Sequence, residues 1–301
     1  MAVGTLRILE PGLYTLLVDF GRPGSRSLGV PVGGAADRTA LALGNALVGN
    51  PPDAAALEVC LAGPTLQADC NLACVLYGAP FEIHSDRQRL TAGKTFTLWP
   101  GETLTIGGTP ERMRAYFCVR GGFEVRPILG SRSSLEPLRT GAVLPCTPGV
   151  IHARFLCRPW GWEQEHGTLR VMDGPQADWF EVEEFYSQPF TVTPASNRMG
   201  LRLAGRPLRL PGRELVSEPV CPGSVQVTRD GQCIVLGVDG QTIGGYPKIA
   251  QVISADCDQL GQLRPGDRVR FVRVSLEEAE ALYRQREAEL REWVTRGRAT
   301  C

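Results

Sequence analysis

The chain has 301 residues, 43% of them hydrophobic, which is enough apolar material for two cores of ordinary domain size. Its 32 basic residues are balanced by 32 acidic ones, so no bulk charge argues for nucleic acid or an anionic lipid surface as a partner. No apolar run reaches the ~18–20 residues that span a bilayer and residues 1–7 lack the apolar stretch of a secretion signal, so a cytoplasmic location without membrane attachment is expected.

Short apolar or alternating runs recur along the chain. The first is 13–18. A helix is expected next over 38–48, where Asp37 can cap the N-terminus, Leu41, Ala42, Leu43, Ala46 and Leu47 supply an apolar side, and Gly49-Asn50-Pro51 stops it. Runs follow at 72–77, 95–98 and 114–119. The polar stretch 158–167, rich in glycine and aromatics, interrupts the pattern and is the expected boundary between a domain over 1–160 and another over 168–301. Beyond it come runs at 168–172, 188–192, 224–227, 233–238 and 269–274. A capping box, Ser275-Leu-Glu-Glu278, opens a last helix toward Arg298, with Leu276, Ala279, Tyr283, Leu290 and Trp293 on or near one face. Runs of this length, bounded by Gly, Pro and Asp, imply a mainly β fold of sandwich or barrel type with few helices.

Most familiar chemical motifs are missing. Gly93-Lys94-Thr95 looks like the end of a phosphate-binding loop, but that motif needs a glycine at 88, where Gln88 stands, so a turn is expected. Neither a Gly-x-Ser-x-Gly elbow nor a Gly-x-Gly-x-x-Gly fingerprint occurs. The ten cysteines form no Cys-x-x-Cys pair and His84, His152 and His166 are scattered, so no metal site is expected. Cys60, Cys74, Cys118 and Cys233 lie among apolar neighbours and read as buried free thiols.

One stretch is unusual: Val238-Asp-Gly-Gln-Thr-Ile-Gly-Gly-Tyr-Pro-Lys-Ile249. Asp239, Gln241, Thr242, Tyr246 and Lys248 place a carboxylate, an amide, a hydroxyl, a phenol and an ammonium within one loop's reach. Gly244 and Gly245 are expected to turn the chain through positive φ or to let it approach a ligand closely. Lys248 is one of only two lysines, with Lys94. Alone, a Gly-Gly of this kind reads as a tight hairpin with solvated polar residues.

The segment Gln241-Thr-Ile-Gly-Gly-Tyr-Pro247 resembles the signature of the biotin-dependent carboxyltransferase-like family, which includes allophanate hydrolase subunit 2 and the 5-oxoprolinase C subunit. The resemblance extends over about 12–271. It includes Asp19-Phe-Gly-Arg-Pro-Gly24, Gly29-Val-Pro-Val-Gly-Gly-Ala-Ala-Asp37, Asn45-Ala-Leu-Val-Gly-Asn50, Leu57-Glu58, Gly63-Pro64 and Leu129-Gly-Ser-Arg-Ser-Ser134. It continues at Gly174-Pro175, Asn197-Arg-Met-Gly-Leu-Arg-Leu203, Ser217-Glu218 and Gln262-Leu-Arg-Pro-Gly-Asp267. A faint internal echo links Arg22-Pro-Gly24 with Arg198-Met-Gly200. One departure is Arg139-Thr-Gly-Ala-Val-Leu-Pro-Cys146, where the family carries a glycine-rich stretch ending in Gly-Asp; a shortened loop there is expected to alter a wall of the site or a partner contact.

The resemblance implies two cyclophilin-like β-barrel subdomains plus the C-terminal helix. It implies the C subunit of an ATP-dependent 5-oxoprolinase, with a B-type protein resembling allophanate hydrolase subunit 1 and a lactam-utilisation A-type protein as partners and ATP used in the complex. Two other readings are carboxyl transfer from carboxybiotin to urea or another small amide, and a non-catalytic antagonist of a kinase inhibitor. Covalent biotin is not expected, because the family's carrier lysine sits between methionines and neither lysine here has a methionine neighbour. The site residues implied are Lys248, Arg198, Glu218 and Asp239 for catalysis. For substrate binding they are Gln241, Thr242, Gly244, Gly245, Tyr246, Arg22, Asp37, Asn45, Glu58 and Arg132. For Asp37 and Asn45, helix capping and local hydrogen bonding compete with that reading; for Glu58 and Arg132, a structural ion pair does.

Overall fold

The structure, a computed structural model, describes residues 4–156, 165–210, 212–213 and 215–299. Most of the 158–167 stretch lies outside the described residues. The chain forms two compact units, one of Met1–Gly21, Asp37–Trp160 and Glu289–Cys301, the other of Arg22–Ala36 and Gly161–Ala288.

In the first unit two five-stranded antiparallel sheets enclose the core. One runs Val143–Cys146, Gly4–Glu10, Thr65–Ala68, Thr103–Ile106, Ile83–Ser85; the other runs Tyr14–Val18, Ala56–Cys60, Arg114–Val119, Leu72–Gly78, Phe96–Leu98. Gly4–Glu10 shows the period of a half-buried strand, with Leu6 and Ile8 inside and Arg7 outside. Arg114–Val119, flanked by strands on both sides, is buried throughout. The core joins both sheets through Leu6, Ile8, Leu57, Leu66, Leu76, Leu104 and Phe117. The helix Arg38–Leu47 is buried from Thr39 onward, and Gly44 is required in it because a Cβ would stand 2.8 Å from Cys118 Sγ. The departure at 139–146 is no irregular loop: Gly141 N donates to Ile8 O (2.8 Å), and Val143–Cys146 becomes an edge strand paired with Gly4–Glu10.

The second unit is a closed barrel, Thr168–Asp173, Lys248–Val252, Ser224–Val227, Cys233–Leu236, Gly200–Ala204, Phe190–Val192, Arg268–Arg273, shut by parallel pairing of the last strand with the first. Closure leaves no free sheet edge to protect. Inside, Phe185 stacks on Phe271 with centroids 4.6 Å apart, and Phe190 meets Phe271 edge-on at 5.6 Å. A two-stranded ribbon, Glu218–Pro219 with Ile243–Gly244, is formed outside the barrel sheet.

The mainly β class and the C-terminal helix are thus as the sequence implies. Several strands are not marked by the pattern, among them Thr65–Ala68, Thr103–Ile106 and Lys248–Val252, the last of which opens with a lysine. The capping box forms: Ser275 Oγ accepts from Glu278 N (3.1 Å) and Glu278 Oε2 from Ser275 N (2.8 Å). The helix Leu276–Ala299 does not bury the whole expected stripe, however. Leu276 and Tyr283 are exposed, and contact runs instead through Ala279 with Ile253, Ala255, Met172 and Leu282. Cys60, Cys74, Cys118 and Cys233 are buried free thiols; burial pushes the Cys233 thiol up to about 12, which leaves it inert.

Candidate functional site

The barrel strand Lys248–Val252 begins at the lysine, and its neighbours hold that residue in place. Gly174 N donates to Ile249 O (2.8 Å) and Gln176 N to Lys248 O (3.2 Å). A Cβ on Gly174 would lie 2.3 Å from Lys248 O, so the Gly174-Pro175 motif exists to let two backbones touch. Gln176 is itself buried and works in both directions: its Oε1 accepts from Lys248 N (3.0 Å) and its Nε2 donates to Glu218 Oε1 (2.9 Å).

Lys248 is buried along its stem, and its Nζ donates to the same Glu218 Oε1. The Glu218 side chain keeps about 35% of its surface exposed. That hydrogen bond from Lys248 holds the Glu218 carboxyl below its ordinary range; burial opposes it, and a hydrogen bond from Gln176 adds to it. The Glu218 carboxyl is therefore ionised at neutral pH. Register pairing of Glu218 with Gly244 places the carboxylate in the ribbon built by the glycine-rich motif.

At the other end of that motif Arg198 grips Asp239 bidentately, Nε to Oδ2 at 2.6 Å and Nη2 to Oδ1 at 3.1 Å, while Nη2 also donates to Gly34 O (2.6 Å). Arg22 is buried in the same unit, and a Cβ on Gly33 would stand 3.5 Å from Arg22 Nη1 and 3.7 Å from Asp239 Oδ1. Gly33 N donates to Val238 O (2.9 Å), which ties segment 22–36 to the motif. Thr242 is buried with its carbonyl taken by Val220 N (3.0 Å), whereas Gln241 and Tyr246 are exposed.

Gly244 and Gly245 do not take positive φ. Close approach explains Gly244: a Cβ would come 2.8 Å from Nε2 of the buried Gln226. The tight hairpin that an isolated Gly-Gly suggests does not form here, and Ile243–Gly244 is an extended residue pair.

Asp37, Asn45, Glu58 and Arg132 lie in the first unit. Asp37 caps its helix, Oδ1 accepting from Ala40 N at 2.8 Å. Asn45 is fully buried and ties the loop after the helix, donating to Ala54 O (2.8 Å) and Pro52 O (3.2 Å) while accepting from Asn50 (3.0 Å). Glu58 does form an ion pair, with Arg114 at 3.2 Å, and accepts from Tyr116 Oη (2.8 Å), whose oxygen accepts from Asp37 N (2.7 Å). Arg132 has an exposed side chain, while its backbone N donates to Asp19 Oδ2 (2.5 Å). Asp19 also accepts from Ser131 Oγ (2.6 Å), Ser133 Oγ (2.7 Å) and Gly21 N (2.8 Å). Burial raises its carboxyl, but these four hydrogen bonds together outweigh that and hold it below the usual range. Asp19, Tyr116, Arg114 and Gln176 were not singled out by sequence; only the motifs that contain Asp19 and adjoin Gln176 pointed near them.

Residues 28–273 match the family described as carboxyltransferase domain, subdomain A and B. The chain is 37% identical over 292 residues to the 5-oxoprolinase C subunit of Escherichia coli (strain K12), a match that covers 91% of this chain and 93% of that protein. It is 31% identical to the urea amidolyase of Saccharomyces cerevisiae, covering 92% of this chain but 17% of that longer protein. Among solved structures, the Kluyveromyces lactis urea amidolyase superposes with a TM-score of 0.87 at 25% identity, over 96% of this chain and 20% of that one. Taken with the fold and the motif geometry, these matches show that the chain belongs to the carboxyltransferase domain family, subdomains A and B.

Proposed function

We propose that the chain is the C subunit of a multi-subunit, ATP-dependent 5-oxoprolinase that opens 5-oxoproline to L-glutamate. The observation that carries this reading is the Lys248–Glu218 pair, a buried ammonium held by an ionised carboxylate inside the motif shared with the family. A lactam is a resonance-stabilised amide and reacts only when charge developing on its oxygen is stabilised. Lys248 is the group for that, a compact point charge in a poorly solvated place. With its carboxyl held low, Glu218 is a weak base at neutral pH and an effective acceptor, so it orients substrate or water rather than carrying the proton. Arg198 is engaged by Asp239 and Gly34, and the proposal gives this pair the task of shaping the motif. Exposed Gln241 and Tyr246 line the approach, with Thr242 and the two glycines behind them.

ATP enters as co-substrate of the complex. Gly93-Lys94-Thr95 lies at a turn, and the proposal places no nucleotide step on this chain. The partners proposed are a B-type protein and a lactam-utilisation A-type protein, in the cytoplasm; among the described residues no helix is long and apolar enough to cross a membrane. The test is reconstitution: the chain co-purified with its B-type and A-type partners should hydrolyse ATP in a 5-oxoproline-dependent manner, and absence of that dependence sinks the reading.

The similarity to urea amidolyases supports a second reading, carboxyl transfer to urea or another small amide. Neither Lys94 nor Lys248 has a methionine neighbour, so biotin does not fit on this chain and would arrive on another polypeptide. Biotin-dependent consumption of bicarbonate by the complex would favour this reading over the first.

A further inference from the structure

Glu218 uses its two oxygens unequally. Oε1 accepts from both Lys248 Nζ and Gln176 Nε2, whereas Oε2 has no protein partner among the described residues and belongs to a side chain about 35% exposed. Lys248 Nζ likewise has one protein partner among the described residues, although an ammonium carries three N–H bonds. The pair therefore presents one unused acceptor beside unused donors, with its rotation blocked by Gln176, which is buried and bonded at both ends.

We propose that this pair reads the edge of a cis amide: the substrate N–H donates to Glu218 Oε2 while its C=O oxygen accepts from Lys248 Nζ. A five-membered lactam, or urea, has N–H and C=O side by side in that order, whereas an open-chain trans amide turns them apart. An ionised carboxylate is the best acceptor for such an N–H, and it repels a lone pair placed there. Gln176 is the positioning residue, since it fixes which oxygen is left over. The inference rests on the proposed site but asks only what the site binds.

The test measures binding without turnover. Calorimetry on the reconstituted complex, without ATP, compares 5-oxoproline with its lactone analogue, in which the ring N–H is replaced by oxygen. A site built around a substrate N–H rejects the analogue strongly, so the lactam should bind at least ~10²-fold more tightly. Glu218→Gln, whose amide can turn its N–H toward the ligand, should narrow that ratio to within ~10-fold. Gln176→Met should narrow it partly; a merely structural loss would weaken both ligands equally and leave the ratio unchanged. Equal binding of lactam and lactone by the unaltered complex, failure to bind the lactam, or a ratio unmoved by Glu218→Gln overturns the proposal. Selective lactam binding in a complex that hydrolyses no ATP would uphold the edge-reading site and sink only the proposed reaction.

Discussion

Asp19 and Lys248 are both nearly buried charges, and their neighbours give them opposite duties. Four donors converge on Asp19, so its charge serves to hold the segment Ser131–Ser133. Asp19→Asn would point an N–H at donors, and a loss of about 1.5–3 kcal/mol at pH 7 is expected in urea unfolding. Its folded pKa lies below the ordinary 3.8, so this stability is complete above that value and is lost as pH falls through the folded pKa. The gap between the two proteins should therefore hold at neutral pH and shrink in acid; a gap that widens in acid would refute the assignment. Lys248 has a single carboxylate partner, itself partly solvated. Lys248→Met should keep the fold, because the stem is replaced and Glu218 can be rehydrated. Turnover by the complex should fall roughly 10²–10³-fold, the scale for one preorganised donor, and near-normal turnover would remove Lys248 from the mechanism. Sequence could mark Lys248 by its rarity and motif, but not Asp19's duty, because three of its four donors lie 112–114 positions away.

At the scale of elements, the glycines show what a pattern can and cannot convey. Sequence marks Gly174 as part of a motif; only the fold shows that the carbonyl of Lys248 occupies the space of its missing Cβ. Gly174→Ala must push the start of the Lys248–Val252 strand, so a loss of about 1–3 kcal/mol is expected together with reduced turnover. Gly212, with no atom of the described residues within 4 Å of a built Cβ, is the control: alanine there should change stability by ~0.5 kcal/mol or less. Comparable thermal shifts in the two variants would contradict the close-approach reading. The same limit explains the elements. Arg114–Val119 is legible as a strand from its continuous apolar run, and Ser224–Val227 from the alternation of polar and apolar residues. Lys248–Val252 was not, since its strand character comes from pairing with Thr168–Asp173 and Ser224–Val227. Two adjacent glycines permit either a turn or a close approach at Gly244; pairing with Glu218 makes it extended, and the Gln226 side chain approaches the space of its missing Cβ.

For the whole molecule, each unit has its own core, one through Leu6, Leu57 and Phe117 and the other through Leu169, Phe190 and Phe271. The chemistry-bearing candidates divide unevenly between them. Asp37, Asn45 and Glu58 take part in helix capping, loop-tying and a buried ion pair within the first unit. Arg22, Arg198, Glu218, Asp239 and Lys248 fall in the second. Family membership and the mainly β fold were legible from ordered motifs, while the division of labour among the candidates required knowing which side chains already had partners. A site with one ammonium and one acceptor can bind and polarise a lactam, but opening it with ATP needs groups that coordinate phosphate, and the motif residues contain none arranged as a phosphate-binding loop. The purified chain alone is therefore expected to show negligible 5-oxoproline-dependent ATP hydrolysis. Mixed with its B-type partner at micromolar concentration, it should co-elute as one species in size-exclusion chromatography, and activity should appear only when the A-type partner is added. Robust turnover by the single chain would overturn its assignment as one component of a complex, and separate elution of the two proteins would overturn the proposed assembly.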